Sequence, residues 1–210
     1  MFHLAKNAIS PAAWKLRFIN FCLYHACDLD CPFCQVPKQK VKTMPPELRR
    51  EAFRKLALIA APGCKMSILG GEPTLRPDLL LEAVTDAVRA GFLPNVVTNG
   101  YALTEDLIIQ LAQAGLDHLA MSVDVEGAQG ALRTDLDKAL RLLRFARDRR
   151  ITPVVNVLVS RQTDIGALKR FCQKVIDAKV FVRHHRQSRW LDEQGRLKGD
   201  SPTLKINADK

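Results

Sequence analysis

The stretch LRFINFCLYHACDLDCPFC, residues 16–34, begins as an apolar run and ends in three closely spaced cysteines. Leu16 to Leu23 is apolar-rich and predicts a buried strand. The segment His25-Ala26-Cys27-Asp28-Leu29-Asp30-Cys31-Pro32-Phe33-Cys34 then places three thiols within eight residues, on a loop leaving that strand. Three thiolates so spaced can converge on one metal centre. A cubane iron–sulfur cluster takes four cysteines, one for each iron, so three local ligands leave one iron free to bind something else. Zinc competes for the same residues, because it accepts three cysteines and a histidine and His25 stands close by. Structural zinc sites usually pair one Cys-x2-Cys with another such pair, not with Cys-x3-Cys. Both metals stay open on these residues alone.

Outward from the triplet, strands and helices alternate. Met44-Pro45-Pro46 opens a helix over Glu47 to Ala60, with Phe53, Leu56, Ala57 and Ala60 at helical spacing. A strand from Lys65 to Leu69 runs into Gly70-Gly71, and a helix from Asp78 to Ala90 closes at Gly91. Pro94 to Val97 forms the third strand, and Thr104 caps a helix ending at Gly115. Leu116 to Val123 is the fourth strand. Thr134 to Arg149 is an amphipathic helix carrying Leu136, Ala139, Leu140 and Leu143 on one side. Pro153 to Val159, a helix from Asp164 to Ala178, and Val180 to His184 complete the pattern, and nothing after Trp190 shows a period. The chain thus divides into an N-terminal extension (1–15), a core (16–186) and a polar tail (187–210).

Such alternation implies α/β architecture with parallel strands and helical crossovers. It does not separate an open doubly wound sheet from an incomplete barrel. Either one puts a site at the carboxyl ends of the strands. The polar and glycine-rich clusters fall there: Cys27 to Cys34, Gly70 to Pro73, Thr98 to Gly100, Ser122 to Asp124, and Asn156 with Ser160.

Composition narrows the class. The chain has 210 residues, 47% apolar and 26% charged, enough for one domain with a core. No apolar run approaches the ~18 residues of a membrane span, and Met1 to Arg17 lacks a signal-peptide pattern, so a cytoplasmic location is the expectation. There the six cysteines are expected to be reduced. Cys22, Cys64 and Cys172 are scattered and expected in the core as small apolar side chains. The net charge of +10 is concentrated near Lys138, Arg141, Arg144, Arg147, Arg149 and Arg150, without interleaved aromatics. It reads as a basic solvated surface, and nucleic-acid binding is not indicated by it.

Cys-x3-Cys-x2-Cys, with aromatic Phe33 before the last cysteine, resembles the signature of the radical S-adenosylmethionine (radical SAM) superfamily. Gly70-Gly71-Glu72-Pro73 resembles that family's second motif, Thr98-Asn99-Gly100 the turn after its third strand, and Ser122-x-Asp124 its fourth strand. The resemblance covers roughly Arg17 to Val182 and implies a partial (β/α)6 TIM-like barrel. It implies that Cys27, Cys31 and Cys34 hold a [4Fe-4S] cluster, with S-adenosylmethionine chelating the fourth iron. Phe33 would lie near the adenine, Gly70 to Pro73 would bind the methionine amino group, and Asn99, Ser122, Asp124 and Asn156 would complete the cofactor site. His25 is not a ligand in that scheme.

The activity so implied is reductive cleavage of S-adenosylmethionine to a 5′-deoxyadenosyl radical that abstracts hydrogen from a small-molecule, nucleotide or peptide substrate. Electrons would come from a donor such as a flavodoxin or ferredoxin. Cys64 and Cys172 are too few and too separated for an auxiliary iron–sulfur domain, which disfavours the full form of peptide-acting subfamilies that carry one. Arg183, His184, His185 and Arg186 suit an anionic substrate or simply a solvated strand end. Two other classes remain as alternatives: a zinc-stabilised basic protein that binds nucleic acid, and an iron–sulfur redox or sensor protein that does not use S-adenosylmethionine.

Overall fold

The computed structural model describes residues 15–31, 34, 43–125, 135–159, 163–186, 190–191 and 197–198. Six parallel strands, β1 (Leu16–Cys22), β2 (Ala60–Leu69), β3 (Leu93–Thr98), β4 (His118–Val123), β5 (Thr152–Val159) and β6 (Phe181–Arg186), lie side by side in chain order. The helices α1 (Pro46–Ile59), α2 (Pro77–Arg89), α3 (Glu105–Gln113), α4 (Leu136–Arg147) and α5 (Ile165–Asp177) form the crossovers. This order settles what periodicity could not. A doubly wound sheet reverses its strand order partway, whereas this one winds one way from β1 to β6, as a barrel does. Among the described residues β6 does not pair with β1, so the barrel is partial.

Period-two alternation divides each strand between two environments. Ile68, Val96, Leu119, Met121, Val123, Val155 and Val157 join Leu80, Ile108, Leu111, Leu143 and Val175 of the helices in one buried apolar cluster. Residues of the opposite parity, including Ser67, Asn95, Ser122 and Asn156, face the inner side of the sheet. A smaller cluster under α1 joins Phe53, Cys64, Met66, Ala87 and Phe92. In it, Phe53 meets Phe21 edge-on at 4.9 Å and Phe92 at 6.3 Å. Arg49 of α1, 2% exposed, donates to Asp86 from Nε (3.0 Å) and Nη2 (2.8 Å), and Nη2 also reaches Glu82 at 3.0 Å. These contacts tie α1 to α2.

Helix starts follow their sequence signals. Thr104, Asp135 and Asp164 each accept an N–H of the first turn, from Leu107, Lys138 and Ala167. Helix stops are more uniform than the sequence suggests. Gly91 and Gly115 have left-handed φ values of 86° and 90°, and the following N–H returns to a carbonyl five residues back. Arg150 (φ 65°) and Lys179 (φ 56°) end α4 and α5 in the same way without glycine.

Three expectations need correction. β2 begins at Ala60, directly after α1, and not at Lys65. Its register against β1 shifts between Leu16↔Ala60 and Phe18↔Lys65, and Pro62 and Gly63 (φ 73°) sit within that irregularity, where proline and glycine are tolerated. Cys22 is exposed, because its parity puts it with Phe18 and Asn20 on the inner side of β1; Cys64 alone of the scattered cysteines is fully buried. In the tail, β7 (Trp190–Leu191) pairs antiparallel with β8 (Leu197–Lys198). Strands of two residues are too short to show a period. Among the described residues no helix is long and apolar enough to cross a membrane.

Candidate functional site

The site begins where β1 and β2 end. Leu23 N–H donates to the Leu69 carbonyl at 2.7 Å, Gly71 N–H to the Tyr24 carbonyl at 2.7 Å, and Glu72 N–H to the Ala26 carbonyl at 2.8 Å. The root of the cysteine loop therefore lies directly on the Gly-Gly turn. A Cβ at Gly70, whose φ is 154°, would stand 2.2 Å from the Tyr24 carbonyl oxygen, and one at Gly71 only 1.9 Å from that of Ala26. The close approach that demands these glycines is thus made by the chain's own backbone. Tyr24, 2% exposed, adds a hydroxyl that donates to the Glu72 carbonyl at 2.7 Å, with the Pro73 carbonyl at 3.1 Å. Burial pushes its phenol up to about 12.

Glu72 is 1% exposed and is the hub of the front of the site. One carboxylate oxygen accepts from Thr74 N–H (3.0 Å), Thr74 Oγ1 (2.6 Å) and Thr98 Oγ1 (2.6 Å), and the other from Asn99 N–H at 2.6 Å. Burial pushes the carboxyl above its ordinary range, and these donors oppose that shift by holding the charged form. The resemblance places this residue among those that would bind the methionine amino group. In the fold both its oxygens are engaged by the protein, and it joins the turn after β2 to the turn after β3. Asn99 passes the connection on. Its Oδ1 accepts from Tyr101 N–H at 2.8 Å and its Nδ2 donates to Asp28 at 2.8 Å, inside the cysteine loop.

Cys27 is half-buried; its Sγ lies 3.8 Å from Asp28 Oδ1 and accepts from Leu29 N–H at 3.5 Å. Burial raises its thiol pKa, and the nearby Asp28 and Glu72 carboxylates add to the shift. Cys34 N–H turns back to the Cys31 carbonyl at 2.9 Å. None of the three cysteines is in a disulfide, and among the described residues no three His, Cys, Asp or Glu side chains are gathered as a metal site. Pro32 and Phe33 lie outside the described residues, as does Ser160.

On the other side of the sheet, register aligns Ser122 of β4, Asn156 of β5 and Arg183 of β6 in one row. Ser122 and Arg183 are half-buried, as is Asp124 just past the end of β4. Asn156 is 4% exposed, and its Oδ1 has no hydrogen-bond partner among the described residues. A buried acceptor left open is costly unless a donor arrives. Tyr24, Thr74 and Asp28 carry parts of this arrangement that the sequence reading assigned to no residue. Only Asp28 had a signal, its place between two of the cysteines.

These residues fit the two groups that the cysteine spacing suggests. The soft thiol donor set on a loop at the strand ends suits iron–sulfur ligation, and the open buried acceptor on Asn156 suits a hydroxyl-bearing ligand.

Comparison with known proteins agrees. The PqqA peptide cyclase of Granulibacter bethesdensis is 33% identical over 147 residues, covering 67% of this chain and 39% of that protein. That of Xanthomonas euvesicatoria pv. vesicatoria is 34% identical over 149 residues, covering 66% of this chain and 39% of that protein. The chain therefore spans about two fifths of these relatives. In fold, Streptococcus suis SuiB bound to S-adenosylmethionine matches with a TM-score of 0.72 at 16% identity, over 89% of this chain and 44% of SuiB. Methylornithine synthase (PylB) matches at 0.68 and 14%, over 84% of this chain and 55% of PylB. Residues 21–165 match the model of the radical SAM superfamily, whose cofactors are a [4Fe-4S] cluster and S-adenosylmethionine. The span runs from the end of β1 to the start of α5 and holds every loop just described; this chain belongs to the radical SAM superfamily.

Proposed function

We propose that this chain is the S-adenosylmethionine-cleaving core of an iron–sulfur enzyme that abstracts hydrogen from a peptide. The observation that carries this reading is the mounting of the cysteine loop. Its root rests on the Gly70–Glu72 turn at the carboxyl end of the parallel sheet, and Asn156 of β5 in the same sheet carries a buried acceptor with no partner among the described residues. In this reading Cys27, Cys31 and Cys34 hold three irons of the cluster, and the fourth is left to S-adenosylmethionine. Bound together, the two cofactors supply one-electron reductive cleavage of a carbon–sulfur bond.

The chain's part is to orient and shield. Gly70, Gly71 and Pro73 present main chain to the methionine end. Glu72 and Asn99 hold those turns in place. Ser122, Asp124 and Asn156 offer oxygens to ribose hydroxyls or to the amino group, and Phe33 would pack near the adenine. A flavodoxin- or ferredoxin-type protein would deliver the electron.

Similarity to PqqA peptide cyclases supports a peptide as substrate, as does the fold shared with SuiB, a protein also solved with its precursor peptide SuiA. The shortage of cysteines after Cys34 argued against the full form of peptide-acting subfamilies. The match covers only 39% of the cyclase, so that count bears on the matched core and not on the remainder.

Anaerobic reconstitution, iron and sulfide counts, and an assay for 5′-deoxyadenosine under a chemical reductant test the reading. The parent should hold about four irons and four sulfides and release 5′-deoxyadenosine. Cys31→Ala should lose both the cluster absorbance and the product. Zinc in place of iron, or 5′-deoxyadenosine formed by Cys31→Ala at the parent's rate, would refute it.

A further inference from the structure

Resting on that reading, we infer that Asp28 and Asn99 form a latch that positions the cysteine loop. Asp28 ligates no metal, yet its hydrogen bond to Asn99 governs how firmly Cys27 and its neighbours hold a cluster. Both sides of Cys27 hang from one residue. On its N-terminal side, the Ala26 carbonyl accepts from Glu72 N–H at 2.8 Å. On its C-terminal side, Asp28 Oδ1 accepts from Asn99 Nδ2 at 2.8 Å, and Asn99 N–H donates to the Glu72 carboxylate at 2.6 Å.

The far end of the latch is rigid. Asn99 is 8% exposed, and because its Oδ1 accepts from Tyr101 N–H at 2.8 Å, the amide can only point Nδ2 at Asp28. Glu72 is fixed in turn by Thr74 and Thr98. The near end is an exposed aspartate adjoining the first cysteine. Without the bond, the chain just beyond Cys27 loses a tie to the turn after the third strand. A chelate of three thiolates holds its metal only as well as their common loop keeps them together.

The test follows how fast a ferrous chelator strips iron from reconstituted protein under argon, together with amide hydrogen exchange at Leu29 in the cluster-free chain. Asp28→Ala should lose iron roughly tenfold faster than the parent and exchange faster at Leu29, the effect of one charge-assisted hydrogen bond. Asp28→Asn keeps an acceptor and should stay within about threefold of the parent, as a neutral bond in its place would. Asn99→Asp keeps its bond to Tyr101 but faces Asp28 with a second carboxylate, so it should lose iron at least as fast as Asp28→Ala. Combining Asp28→Asn with Asn99→Asp reverses donor and acceptor and should restore retention.

A general loss of stability, or a lost cofactor contact at Asn99, would not be repaired by that exchange. The latch is refuted if Asp28→Ala retains iron and exchanges at Leu29 as the parent does, or if the exchanged pair loses iron as fast as Asn99→Asp. A parent that takes up no iron would defeat the proposed function instead, and exchange at Leu29 in the four cluster-free variants would still decide the latch.

Discussion

The turns after β1, β2 and β3 and the strand ends of β4 and β5 carry the same kind of group, buried and polar, but they dispose of it differently. In the turns after β1, β2 and β3 both oxygens of Glu72, the amide of Asn99 and the hydroxyl of Tyr24 have partners at 2.6 to 3.1 Å, although within β3 the Oδ1 of Asn95 has none among the described residues. On the β4–β5 side Asn156, as deeply buried, keeps an acceptor without a partner among the described residues. The first region is a finished scaffold that acts through the loops it holds. In the proposed reading the second is left open for a ligand. Substitutions should therefore harm stability on one side and binding on the other.

The largest effect is expected at Gly71. A Cβ there would fall 1.9 Å from the Ala26 carbonyl oxygen, and only backbone could move to make room. Gly71→Ala should cost about 3 kcal/mol or more in urea unfolding of the cluster-free chain, at the top of the usual overpacking range. A smaller loss is expected for Glu72→Gln, which keeps one acceptor but turns an amide donor toward a donating N–H of Asn99 or Thr74. About 2 kcal/mol should go, measured in the same way. Were Glu72→Gln as stable as the parent, with only S-adenosylmethionine binding reduced, the scaffold side would be a ligand surface after all.

The smallest stability change should come from Asn156→Leu, which removes a buried acceptor unpartnered among the described residues and keeps the branched shape of the side chain. Unfolding should move by less than about 1 kcal/mol. Calorimetry with S-adenosylmethionine on the reconstituted variant should instead show weaker binding. A loss of stability as large as that of Glu72→Gln would erase the contrast between the two regions.

Much of this site was legible before folding was considered. The cysteine spacing, the turns at Gly70–Pro73 and Thr98–Gly100 and the alternation at Ser122 and Asp124 are local patterns, and local patterns survive in one dimension. What escaped was partnership. Tyr24 reaches a carbonyl 48 positions away, Thr98 a carboxylate 26 away and Asn99 an aspartate 71 away. Glu72 shows the same limit: its charge is visible in the sequence, but two of the donors that hold it, Thr98 and Asn99, come from another loop. Arg150 and Lys179 are a milder case, ending helices in left-handed geometry that only glycine would have announced.

By itself the sequence determined the α/β alternation, the helix starts at Thr104 and Asp164, and the thiol triplet that names the chemistry. These rest on spacing along one chain, where hydrophobic period, capping and ligand bite are set within a few residues. Tertiary structure alone decided that the sheet winds one way as a partial barrel. It also decided that the glycine pair makes room for the chain's own backbone, and that Cys27 hangs from Glu72 on both sides. Those outcomes depend on which strand lies beside which, since a hydrogen bond or a steric limit acts on atoms brought within a few ångströms whatever their separation in sequence.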